Sequence, residues 1–304
     1  MAAEPVAVLL MAYGGPNSLA EVEPYLLDVR GGRPTKPELV EEIRERYAEI
    51  GGRSPIRELT EAQAAGLGRA LGPGYTVRVG MRHWHPYIKE TVDVLVAGGA
   101  RRVIGVAMAP HFSTMSVAAY EKKLREAVAG RLEVAMVERW GEEPKFLDAV
   151  AAHVQAARAR FPTPERVQVL FTAHSLPQRI LTAGDPYPTE LRASADAVAR
   201  RLGLTGWLFA FQSAGATPEP WLGPDVESVI RELAGRGQDA FLVVPIGFIC
   251  DHVEILYDID VELRRAAAEL GVRLERTASL NDDPLLVGAL ADVVRRAARD
   301  HGWD

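Results

Sequence analysis

The sequence predicts an α/β fold of two similar doubly wound halves, each built on a four-stranded parallel sheet, with a cleft between them. Three observations carry that prediction. Short β-rich apolar runs alternate with longer segments of helical period, the pattern of parallel strands joined by crossover helices. The runs fall into four and then four more, about a crossover at Trp140-Gly141-Glu142-Glu143-Pro144. The 304 residues suit about two domains at roughly 150 residues each, so residues 1–140 and 141–304 form the halves.

The first strand, Val6–Ala12, ends at Gly14-Gly15-Pro16 and lacks the basic leader of a secretory signal, so it belongs to the fold. Helical segments follow at Leu19–Asp28, Pro37–Glu49 and Ile56–Leu71. Residues 19–71 exceed what a simple crossover needs and read as an insertion that walls a substrate site. Strands at Thr76–Gly80, Arg102–Ala107 and Glu133–Val137, with helices at Pro86–Ala97 and Met115–Ala129 between them, complete the first half. The second half has strands at Val167–Thr172, Trp207–Phe211, Ala240–Pro245 and Val272–Arg276. Its helices are Pro144–Ala159, Pro186–Leu202, Val226–Ala234, His252–Leu270 and Pro284–Arg299. The apolar run Ala240–Cys250 is broken by Pro245 and Gly247 and falls far short of the ~20 residues that span a bilayer, so no integral membrane segment is expected.

Lys+Arg 35 against Asp+Glu 41 gives a net charge of −6, which argues against a nucleic-acid partner because phosphate neutralisation needs a basic face. The single cysteine, Cys250, cannot close an intramolecular disulfide or hold an iron–sulfur cluster, and a reducing cytoplasm fits best. No GxGxxG follows the first strand, no GxxxxGK[ST] occurs, and no GxSxG elbow supports a serine hydrolase.

Ligands of open parallel sheets bind outside the carboxyl ends of the strands, and five of the seven histidines lie at those ends: His83, His85, His111, His174 and His252. That concentration points to one cleft with acid–base or metal chemistry. His174 follows a strongly apolar strand and precedes Ser175-Leu176-Pro177, which pins it at a cleft edge. His252 reads more simply as a helix cap. His83 and His85 sit two apart in extended geometry, so at most one faces the cleft. On the helix 252–270, Glu254, Asp258 and Glu262 at i, i+4 and i+8 form an acidic stripe on an otherwise apolar surface. Such a stripe requires solvent or a cation, and its oxygens suit Mg²⁺ or Fe²⁺. In the insertion, Arg30 and Arg53 adjoin Gly31-Gly32 and Gly51-Gly52, where loops bring backbone close to a ligand; an anionic substrate held by arginines follows.

The blocks MAYGGP (11–16), IGGRSPI (50–56), MRHWHP (81–86), APHFSTMSVAAY (109–120), AHSLP (173–177), FQSAG (211–215) and PIGFICDHVEILYDID (245–260), in this order, resemble ferrochelatase along essentially the whole chain. The resemblance implies two Rossmann-like domains around a porphyrin cleft, with helix 284–299 returning to the first domain. It implies a catalytic pair, His174 and Glu254, and a metal or proton path continuing through Asp258 and Glu262. Tyr13 resembles the variant of the family that inserts Fe²⁺ into coproporphyrin III, and would sit near the metal with His174 and Glu254. Arg30, Arg46, Ser54 and Tyr120 match positions that hold propionates. Fe²⁺ is then a substrate and no prosthetic group or iron–sulfur cluster is expected. The chain stops at Asp304 without the family's cysteine-bearing extension, so the resemblance implies a soluble cytoplasmic monomer. A transient iron donor and a coproheme decarboxylase are the expected partners. The rival readings are a protoporphyrin IX ferrochelatase, a non-catalytic tetrapyrrole carrier, and a chelatase for Co²⁺ or another divalent metal.

Overall fold

The computed structural model describes residues 5–215 and 217–303. The first sheet holds β1 (Val6–Ala12), β2 (Tyr75–Met81), β3 (Arg102–Ala107) and β4 (Glu133–Val137) in the order β2-β1-β3-β4. The second holds β5 (Gln168–His174), β6 (Leu208–Gln212), β7 (Ala240–Val244) and β8 (Arg273–Arg276) in the order β6-β5-β7-β8. Every strand pair is parallel. Each sheet therefore reverses its strand order once, between β1 and β3 and again between β5 and β7. Crevices open at the carboxyl ends of such switch points, which places the loops after these four strands around a site.

The helices of the first half are α1 (Val22–Val29), α2 (Pro37–Glu49), α3 (Ile56–Leu71), α4 (Ile88–Ala97) and α5 (Val117–Val128). Those after it are α6 (Pro144–Arg158), α7 (Arg179–Thr182), α8 (Tyr187–Leu202), α9 (Val226–Gly235), α10 (Val253–Leu256), α11 (Arg264–Glu269) and α12 (Pro284–Asp300). The strand period of two sorts β1 cleanly. Val8, Leu10 and Ala12 enter one core shared with Phe171, Val244, Leu286 and Leu290, while Ala7, Leu9 and Met11 pack under α4 and α5. Ala240–Val244 is likewise divided, with Phe241 and Val243 meeting Ile230, Ile255 and Ile259 on the outer face. α12 packs on α3, β3 and β4 as well as on α6, so the last helix braces the first sheet.

Several local readings differ. The segment 252–270 is not one α-helix: α10 gives way to a π-turn at Asp258–Leu263 before α11. There the Glu262 amide reaches the Tyr257 carbonyl five residues back, at 3.0 Å, and the acidic side chains on this stretch are held from outside it. β5 runs two residues further than the apolar run, so His174 is the strand's last residue and not its first loop residue. α4 starts at Ile88 instead of Pro86, because the Glu90 carboxylate accepts the Tyr87 amide at 2.8 Å and caps the helix there. The segment 19–28 opens as a 3₁₀ turn at Leu19–Glu21, and α7 is a short helix without a sequence signal.

Candidate active site

The two carboxyl edges enclose a cavity of about 400 Å³. The first half lines it with Tyr13, Tyr25, Tyr47, Ser54, Arg82 and Tyr120, and the second with His174, Tyr187, Trp221, His252 and Glu254. Sequence reasoning had singled out Tyr13, Ser54, Tyr120, His174 and Glu254, and the fold brings all five to one cavity.

His174 is fixed by its strand and by Tyr187, whose hydroxyl donates to the His174 carbonyl at 3.1 Å. Its Nδ1 contacts the Ser175 carbonyl. A carbonyl only accepts, so Nδ1 carries the proton and Nε2 is left to take up or release one. That Nε2 lies 3.6 Å from Glu254 Oε1. Glu254 stands in the first turn of α10, and its Oε2 is 3.7 Å from His252 Nε2. Burial works to raise the Glu254 carboxyl, but the imidazoles of His174 and His252 outweigh it and hold the pKa below the usual value. Burial likewise works to lower His252, and Glu254 outweighs it, so His252 is raised. A carboxylate between two imidazoles can pass a proton either way. His252 is thus a member of this cluster and not merely a cap, and its Nδ1 donates to the Cys250 carbonyl at 2.9 Å.

Tyr13 enters from the end of β1 and is 40% exposed. Desolvation within the cavity raises its pKa, with the Arg82 guanidinium working against the rise. Arg82 lies 5.8 Å from the Tyr13 ring centre and 5.6 Å from that of Tyr120. Its Nη1 donates to the Met115 carbonyl at 3.3 Å, whereas its buried Nε has no hydrogen-bond partner among the described residues. Ser54 is buried against Gly15, where a Cβ would sit 2.6 Å from the Ser54 hydroxyl oxygen; only glycine lets the insertion close on the strand end. Five of the eight tyrosines line the cavity, and burial raises Tyr47, Tyr120 and Tyr187 so that they remain neutral donors.

Other expected residues lie outside this lining. Arg30 caps α1 at an exposed position. Arg46, on α2, reaches the acidic stripe: its guanidinium is 3.7 Å from Asp258, 3.8 Å from Glu262 and 5.0 Å from the centre of the Tyr257 ring. Of the solvent or cation that the stripe requires, the structure supplies an arginine beside Asp258 and Glu262, and among the described residues no three His, Cys, Asp or Glu side chains converge to hold a metal by themselves. Asp258 also accepts from the Ser213 hydroxyl. Burial, with Glu254 and Glu262 nearby, raises the Asp258 carboxyl, which suits it to hold a proton one helical step beyond Glu254. Arg53 is exposed and pairs with Glu58. His83 backs Tyr13 with ring centres 4.7 Å apart and holds Asp28 at 2.8 Å, while the exposed His85 pairs with Glu90. Sequence reasoning missed Tyr25, Tyr47, Tyr187 and Trp221, which carry no motif, and Arg82, which lies in a block it had marked for its histidines.

The comparisons fit this geometry. The ferrochelatase family model matches residues 5–298. A ferrochelatase of Herpetosiphon aurantiacus is 48% identical over 95% of this chain and 97% of its own. A coproporphyrin III ferrochelatase of Geobacillus thermodenitrificans is 38% identical over 99% of this chain and 98% of its own. Among solved structures, SirB from Bacillus subtilis with Fe³⁺ superposes with a TM-score of 0.65 at 14% identity, covering 99% of each chain, a likeness of fold alone. With the family model spanning nearly the whole sequence, and a shared cavity flanked by an imidazole–carboxylate pair, this chain belongs to the ferrochelatase family, the porphyrin metal chelatases.

Proposed function

We propose that the chain inserts Fe²⁺ into coproporphyrin III, giving coproheme. The observation that carries the reading is His174 Nε2 and Glu254 in contact within the cavity whose other wall presents Tyr13. Insertion replaces two pyrrole N–H protons with one Fe²⁺, so two protons must leave. His174 Nε2 accepts the two pyrrole protons in turn, and Glu254 passes each towards His252 or outward to Asp258 and Glu262 before the next is taken. Tyr13, on the facing wall, presents the metal to the ring nitrogens, which leaves the single Nε2 lone pair of His174 for the proton; both iron and porphyrin are substrates. Neutral buried tyrosines exclude water from the macrocycle and supply hydrogen bonds without adding charge.

The choice of coproporphyrin is supported by its four carboxylates and by the relatives named for that substrate. Ser54 and Tyr120 in the cavity, Arg30 at the end of α1 and Arg46 on α2 would take propionates, since Tyr25 and Tyr47 of the same two helices line the cavity. In this reading the protein works as a cytoplasmic monomer, receives Fe²⁺ from a transient donor and passes coproheme to a decarboxylase. The test is anaerobic: purified protein with Fe²⁺ and either coproporphyrin III or protoporphyrin IX, followed by loss of free-porphyrin fluorescence. Faster turnover of coproporphyrin III is expected. Preference for protoporphyrin IX overturns the substrate, and tight binding of both without metallation points to a carrier.

A further inference from the structure

The loop after β3, which carries Met115 and Ser116 into the cavity wall and leads to Tyr120, is tied to the other half of the molecule through one carboxylate. Asp185 lies just ahead of α8 and is 7% exposed. Its Oδ2 accepts from the Ser113 hydroxyl at 3.0 Å, the Thr114 amide at 2.7 Å and the Thr114 hydroxyl at 2.7 Å. Its Oδ1 accepts the Tyr187 amide at 3.0 Å. Tyr187 in turn donates from its hydroxyl to the carbonyl of His174. The Ser113 hydroxyl oxygen also takes the Met115 amide at 3.1 Å, which sets the direction of the cavity loop. One side chain thus joins the loop bearing one cavity wall to the residue that braces His174 in the other.

We propose that Asp185 is a positioning residue for metal insertion, holding the Ser113–Met115 loop of the first half and the Tyr187–His174 support of the second at a fixed separation. The inference rests on the reading of His174 given above. The chemistry of the contacts requires an ionised acid. Four donors converge on two oxygens, and an amide of the same size must turn its own NH₂ either towards Tyr187 or towards Thr114, where only an acceptor fits. Glu190 and Ser194 extend the same seam along α8: Glu190 accepts the Phe112 amide at 2.7 Å, and Ser194 meets His111 at 2.8 Å and donates to the Gly141 carbonyl at 2.7 Å. Only Asp185, however, reaches both the cavity loop and the brace of His174.

The experiment compares Asp185→Asn with the pair Ser113→Ala/Thr114→Val, which removes the two hydroxyl donors of the loop and leaves the carboxylate, its bond from the Thr114 amide and its Tyr187 bond in place. kcat and KM for Fe²⁺ insertion, the absorption band of bound metal-free porphyrin, and amide exchange at Thr114 and Tyr187 are measured on each. Both variants are expected to lower kcat about tenfold to a hundredfold, since misplacement of about 1 Å has that scale of effect, with a shifted porphyrin band and KM moving far less. Joining all three substitutions should be no worse than Asp185→Asn alone, because they break one linkage. Wild-type kcat in Asp185→Asn overturns the proposal. So does wild-type kcat in Ser113→Ala/Thr114→Val, because loss of two of the three bonds from the loop would then leave the site unmoved. His174→Ala on the same preparations separates the two ideas: if it keeps turnover, the reading of His174 fails, while protection of Thr114 and Tyr187 still reports the clamp.

Discussion

The proposed proton acceptor, His174 Nε2, 3.6 Å from Glu254, makes the sharpest residue-scale prediction. His174→Ala should abolish iron insertion while porphyrin affinity stays within about tenfold, because ~1.4 kcal/mol or less of ground-state contact is removed. Fluorescence quenching by bound porphyrin measures it, and a collapse of binding would make the residue structural. A second prediction concerns acid. Burial pushes His83 down to about 4 from an ordinary 6.5. Between those values the unfolded chain binds a proton that the folded chain refuses, so stability falls as pH drops. From pH 7 to pH 5 this one group should cost about 2 kcal/mol. Urea midpoints across that range should flatten in His83→Gln, and an unchanged slope would count against the assignment. The imidazole and carboxyl groups were legible in the sequence because strand ends are where an α/β sheet puts its chemistry. His252 was not, since its position as the residue before a helix has an ordinary explanation; only the Glu254 carboxylate beside it in space reveals the other role. Tyr25, Tyr47 and Tyr187 were hidden for a different reason: on a helix, an apolar-facing tyrosine looks the same whether it meets a core or a cavity.

At the scale of elements, the inner strands β1, β3, β5 and β7 were readable because buried parallel strands are near-continuous apolar runs, whereas the edge strand β8 has no buried residue. The π-turn at Asp258–Leu263 was not. A helical period fits the acidic stripe, and the partners that hold its side chains, Arg46 from α2 and Ser213 after β6, are remote in sequence. Asp260, adjacent to the stripe, turns instead to Arg276, with contacts at 2.9, 3.1 and 2.7 Å. Close packing of β3 under α5 supplies a test of the first sheet. A Cβ on Gly105 would lie 2.4 Å from Leu124 and 3.0 Å from Met136. Gly105→Ala should therefore destabilise by about 1–3 kcal/mol through overpacking, with KM for porphyrin unchanged. Thermal denaturation checks the first part and steady-state kinetics the second; a stability equal to wild type would show that α5 can shift away.

For the molecule as a whole, the shared core decides how it unfolds. Val8 and Leu10 of the first sheet, Phe171 and Val244 of the second, and Leu286 and Leu290 of α12 belong to one buried cluster. Heat or urea should give a single transition, with tryptophan fluorescence and far-ultraviolet dichroism coinciding; two separated transitions would show independent halves. The return of α12 to α3, β3 and β4 also has a temporal side. On the ribosome, β4 emerges long before α12 is made. At about 5–20 residues per second the first sheet waits roughly ten seconds or more for its covering helix. Through that interval the nascent first half presents an uncovered apolar face, and it reaches its finished form only after the second half has been synthesised.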